Sequence, residues 1–135
     1  MAHLFLRYKT TIFISLVVLL LSTIPGSSLH KVPIIEIPNL DKLIHFIMYF
    51  SLATAILLDV YKEYDKLSSK AIWTAILFPF FYGVLMEFLQ KYFVENRTAD
   101  VLDALANTVG LLTALIFFLK FKKYKKWLLK IASIF

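Results

Sequence analysis

The chain has 135 residues, of which 60% are hydrophobic and only 18% charged. A water-soluble domain of this length leaves too much surface exposed to hide so much apolar side chain, so the bilayer is the expected solvent. The absence of cysteine excludes disulfides, thiolate metal sites and cysteine nucleophiles, and the net charge of +6 comes without any nucleic-acid motif, so it points to membrane phosphates and not to DNA or RNA.

Backbone groups cannot go unpaired in hydrocarbon, so a crossing segment is expected to be a helix. A core of about 30 Å takes roughly 20 mostly apolar residues. Four stretches approach this. The first, 10–24, follows Arg7 and Lys9 and is stopped by Pro25 and Gly26. A cleaved signal peptide would share its basic start and apolar run, but Ser22-Thr23-Ile24-Pro25-Gly26-Ser27-Ser28 offers no small-x-small cleavage site, and a retained span is expected. The second, 41–58, carries Asp41, His45 and Tyr49 at spacings of four, which project from nearly one helix face.

In the third, 71–90, Glu87 is the single charge; Pro79, Gly83 and Glu87 stand four apart and Gln90 follows three beyond. In the fourth, 101–119, about 100° per residue gathers Asp100, Asp103, Asn107, Gly110 and Ala114 on one arc. Leu105, Val109, Leu112, Ile116 and Leu119 fall opposite. The first arc is expected to face protein, where small residues let helices approach and polar ones find partners, and the second to face lipid. The expectation is one membrane domain over 1–135, an all-α bundle of four transmembrane helices.

Cations favour the cytoplasmic side. With four spans, one side holds Arg7 and Lys9, then Lys62, Lys66 and Lys70, then the six lysines from Lys120 to Lys130; the other holds only Lys31, Lys42, Lys91 and Arg97. Both termini are therefore expected in the cytoplasm of a multi-pass plasma-membrane protein, with loops 25–40 and 91–100 outside. After Leu119 the tail, as a helix, separates Phe121, Tyr124, Leu128, Ile131 and Phe135 from Lys122, Lys123, Lys126 and Lys130. It is expected to lie as a basic amphipathic segment on the anionic inner leaflet, chiefly as a topology anchor.

Under that orientation Asp41, Glu87, Gln90, Arg97, Asp100 and Asp103 all fall within a turn or two of the outer boundary, at most roughly 10 Å deep by helix rise. Charges within a span are costly and commonly mark sites. Structural glue is the plainer alternative: Arg97 pairs with Asp100, Asp103 or Glu87, while Asn107 and Gln90 satisfy backbone groups. Yet four acids face only Lys42 and Arg97, so some carboxylate must be protonated, His45 must be charged, or a cation or polar headgroup must enter. His45 can act as hydrogen-bond donor to Asp41, as proton acceptor or as metal ligand; the first role is the expected one. The spacing matches no recognised metal motif, so no metal ligands are assigned, and the cofactor is left unknown.

The ordered set Asp41-Lys42-Leu43-Ile44-His45-Phe46, Tyr49, Glu87-Phe88-Leu89-Gln90, then Arg97-x-x-Asp100-x-x-Asp103-x-x-x-Asn107-x-x-Gly110, resembles the VanZ-like family of bacterial membrane proteins over about residues 41–110. The resemblance implies a cell-envelope setting and little chemistry. The family's namesake is linked to low-level resistance to the glycopeptide teicoplanin by a mechanism that is not established.

These residues are compatible with three functions. In the first, Asp41, Lys42, His45, Tyr49, Glu87, Gln90, Arg97, Asp100, Asp103 and Asn107 line an outer-leaflet cleft. That cleft binds, without catalysis, a polar or lipid-linked ligand such as an envelope precursor or a glycopeptide, with Arg97 and Lys42 available to a phosphate. The second is an enzyme acting on a lipid headgroup, with His45 and Asp41 as general base and Glu87 or Asp103 as acid; no activated nucleophile supports it. The third, a proton or cation carrier, needs ionisable residues through the membrane's depth, and here they crowd at one end.

Overall fold

The computed structural model describes residues 6–25, 39–64, 68–98, 100–121 and 130. Loop residues 26–38 and nearly all of the expected amphipathic tail lie outside the described residues. Among the described residues four helices follow in chain order: α1 (Lys9–Ser22), α2 (Leu40–Tyr64), α3 (Ser69–Phe93) and α4 (Val101–Phe121). The described residues contain no strand, and the protein is an all-α bundle. Helices α2, α3 and α4 are long and apolar enough to cross a membrane. With 14 residues α1 is shorter, rising about 21 Å, so the expected first span is a shorter apolar helix that ends just before Pro25.

α2 is the centre of the bundle: 61% of its apolar span is buried, against 28% for α3 and 33% for α4. From Ala55 to Tyr61 every residue of α2 is buried, because the other helices pack around it. α3 and α4 each bury one stripe, as their periodicity predicts. On α4 the inner stripe is Asp103, Asn107, Gly110, Leu111, Ala114 and Phe118; Leu105, Val109, Leu112 and Ile116 are exposed. On α3 the inner stripe includes Ala75, Pro79, Gly83, Glu87 and Gln90, and Trp73, Leu77, Phe81, Leu85 and Phe88 point away from the bundle. Water would penalise such a belt of apolar side chains, whereas acyl chains cover it.

Close approach sets the geometry between α2 and α4. A Cβ on Gly110 would collide with the backbone carbonyl oxygen of Phe46 and lie 3.1 Å from the backbone nitrogen of Phe50. Only glycine lets the two backbones meet there, which is the use of small residues between membrane helices. Ala53, Leu111 and Ala114 continue the seam toward the other end.

Polar contacts fasten α1 along its length. The Thr11 backbone N–H and hydroxyl both donate to Asp59 Oδ2, at 2.9 and 2.8 Å. The Tyr82 hydroxyl donates to the Ser15 carbonyl at 2.7 Å, and the Gln90 amide donates to the Ser22 carbonyl at 3.2 Å. Such bonds hold a helix where hydrophobic attraction between helices is weak, because lipid is as apolar as leucine.

Candidate functional site

The N-termini of α2 and α4 and the C-terminal third of α3 meet at one end of the bundle. Three local features produce this. Asn39 takes a left-handed φ of 63°, which asparagine tolerates, and turns the chain into α2. Asn96, with φ 56°, turns it back after α3. Asp100 then caps α4: its Oδ1 accepts from the Leu102 N–H at 2.8 Å, and its carbonyl accepts from Asp103 and Ala104 at 3.1 and 3.2 Å.

Lys42 is the hub. Its ammonium donates to Asp41 Oδ2 at 2.7 Å and to Asp100 Oδ2 at 2.8 Å, and it stands 3.2 Å from Asp103 Oδ1. One cation from the first turn of α2 thus holds two carboxylates of α4's N-terminus, where the helix dipole also favours negative charge. Asp100 reaches α3 as well, through its backbone N–H to Glu87 Oε2 at 3.3 Å. The Lys42 ammonium and the Leu102 N–H hold the Asp100 carboxyl below the usual carboxylate range.

Beneath this rim lies a second, drier layer. His45 Nδ1 is 3.1 Å from Asn107 Oδ1 and 3.8 Å from Glu87 Oε1, and its Nε2 is 3.8 Å from Asp103 Oδ2. His45, Glu87, Asp103 and Asn107 are all buried, while the Asp41 and Asp100 side chains keep 44% and 38% of their exposure. The cluster therefore has a wet mouth and a buried floor. Below the floor, Tyr49 packs its ring against Gly83, and its hydroxyl is buried without a hydrogen-bond partner.

Seven of the ten residues singled out from the sequence are joined in this network: Asp41, Lys42, His45, Glu87, Asp100, Asp103 and Asn107. Tyr49 lies under it. Gln90 is turned aside to clamp α1. Arg97 makes no ion pair with the described residues, and its Nε is buried without a hydrogen-bond partner; of the acids that the structural alternative paired with it, Asp100 and Asp103 go to Lys42, and Glu87 accepts from the Asp100 N–H. The expected His45 to Asp41 bond is not formed among the described residues. Lys42 takes Asp41, and His45 faces Asn107 on α4 instead.

The network adjoins a cleft between α3 and α4 of about 210 Å³, walled by Phe80, Gly83, Val84, Val101, Ala104, Leu105, Asn107 and Thr108. Asn107 belongs to both: its oxygen meets His45, and its Nδ2 is buried without a partner.

A bundle with three helices long and apolar enough to cross a membrane, carrying an ionic cluster at one end, is the architecture of an integral membrane protein. The chain belongs to the VanZ/LLP1 family, whose family model matches residues 3–123. No curated protein and no solved structure matches it.

Proposed function

We propose that this membrane protein acts as a non-catalytic binder of a lipid-linked cell-envelope molecule at the outer leaflet. The observation that carries this reading is the position of Asn107, shared between an apolar cleft of acyl-chain character and a polar cluster with a half-exposed mouth. A lipid-linked molecule has both parts: its chain fits the cleft between α3 and α4, and its hydroxyl or amine groups suit Asp41, Asp100 and the free Asn107 amide. Arg97, three residues before Asp100, is available to a phosphate at the rim. The lysine distribution supports an outward mouth, since Lys62, Lys70 and Lys120 all belong to the opposite end of the bundle. The namesake of the VanZ-like family is linked to teicoplanin resistance, so teicoplanin susceptibility serves as the cellular readout.

The test is lipid retention in purified protein, read by native mass spectrometry, together with teicoplanin susceptibility of the producing cells. Ala104→Trp, which fills the cleft, and Arg97→Ala, which removes the rim guanidinium, are each expected to cut retention of a lipid-linked envelope molecule by about tenfold, equivalent to about 1.4 kcal/mol. Both variants should reach wild-type membrane levels. Unchanged retention and unchanged susceptibility in both would remove the reading, and an altered lipid headgroup population in cells carrying the protein would replace binding with catalysis.

A further inference from the structure

The buried floor of the cluster has a charge problem that its own side chains leave unsolved. An amide oxygen can only accept, so the 3.1 Å contact with Asn107 Oδ1 puts a proton on His45 Nδ1. In the neutral ring the lone pair is then on Nε2, facing the Asp103 carboxylate across 3.8 Å, too far for a hydrogen bond and with two acceptors opposed. Glu87 adds a second carboxylate. It is 8% exposed, and its Oε1, 3.8 Å from the His45 ring, has no hydrogen-bond partner. Lys42 reaches only Asp103 of this group. Two buried carboxylates beside a neutral imidazole are expensive unless one takes up a proton or a positive charge stands among them.

We propose that His45, Glu87 and Asp103 form a binding site for a divalent transition-metal cation. One donor atom from each lies within 4.8 Å of the others. Donors on a common metal sit about 3 to 3.5 Å apart; Asp103 Oδ2 already faces the free Nε2 at 3.8 Å, and Glu87 Oε1, 3.8 Å from Nδ1, completes the set by swinging toward Nε2. One imidazole nitrogen with two carboxylate oxygens suits a borderline cation such as Zn²⁺ or Mn²⁺ better than Ca²⁺ or Mg²⁺, which take oxygen throughout. A dication with two carboxylates and a neutral ring leaves no net charge on the floor. The bond from His45 Nδ1–H to Asn107 is the outer contact that fixes the tautomer of a liganding histidine. The three ligands come from three helices, which is why no linear motif announces them.

This site is separate from lipid binding in its test, because the metal alone is the probe. Purified full-length protein is stripped with chelator and titrated with Zn²⁺ or Mn²⁺, following bound metal and melting temperature. Saturation near one equivalent is expected, with a rise in Tm of several degrees. His45→Gln and Glu87→Gln should bind at least about tenfold more weakly, while Asp59→Asn, at the other end of α2, binds like wild type. A background of His3→Gln and His30→Gln leaves His45 as the sole histidine, so X-ray absorption of its Zn²⁺ form decides the site without relying on variants that fold poorly: an imidazole shell is expected. No saturable binding of either cation, as an imidazolium at His45 would produce, overturns the proposal. So does wild-type affinity in His45→Gln and Glu87→Gln, or a Zn²⁺ spectrum without imidazole.

Discussion

Replacing Lys42 by methionine is expected to destabilise the protein by about 3 kcal/mol, the low end of the cost of stripping the partner from a buried charge. Asp103 carries most of this, since it is only 5% exposed and Lys42 is the one cation that reaches it among the described residues. Asp41 and Asp100 keep contact with water and lose less. Methionine retains the stem's packing, so the loss reports charge and hydrogen bonding. Thermal unfolding in detergent measures it, and Asp103→Asn in the same chain should restore part of the loss, because the orphaned charge is gone. The pH response has a defined sign. Asp100 is held below its unfolded value by the Lys42 ammonium, so its contribution is present above the ordinary carboxylate range. It is lost as pH falls through the lowered value, and the acid limb should flatten in Lys42→Met.

Substituting Gly110 by alanine is expected to cost about 1 to 3 kcal/mol, and valine there should prevent accumulation of folded protein. The atoms a Cβ would strike are backbone atoms of Phe46 and Phe50 in the central helix, which cannot swing aside. Gly83 provides the comparison. A Cβ there would meet the Tyr49 ring at 3.2 Å and the Asn107 amide at 3.3 Å, both side chains that can give by a few tenths of an ångström. Gly83→Ala should therefore be the milder of the two, and a larger loss at position 83 than at 110 in the same thermal assay would contradict this view of the α2/α4 seam.

Most of the fold was legible from periodicity. The arc of Asp103, Asn107, Gly110 and Ala114 on α4 and the stripe of Pro79, Gly83 and Glu87 on α3 are buried as their spacing predicts, because hydrocarbon punishes any polar group that faces it. Of the residues the sequence placed near one helix end, Asp41, Glu87, Asp100 and Asp103 do converge, joined by His45 and Asn107, whereas Gln90 turns to α1 and Arg97 stays outside the network. Pairings were not legible. Helical spacing favoured His45 with Asp41 on one face, yet the contact that wins is with Asn107 on another helix, and nothing in one sequence ranks contacts between helices. The structural alternative paired Arg97 with Asp100, Asp103 or Glu87; Asp100 and Asp103 go to Lys42 instead, because its side chain enters the cluster from α2's first turn. The fastening of α1 through Thr11 and Asp59 carried no sequence signal beyond a lone buried acid in an apolar run.

The chain lacks cysteine, so single cysteines report the face on which the cluster opens without background. Glu95, exposed in the turn between α3 and α4, marks the cluster end, and Ser69, exposed at the start of α3, marks the other. With a membrane-impermeant maleimide, Glu95→Cys should react in intact cells and Ser69→Cys only after permeabilisation. The reverse pattern would put Lys42 and its carboxylates at the cytosolic face and contradict an outer-leaflet binding site.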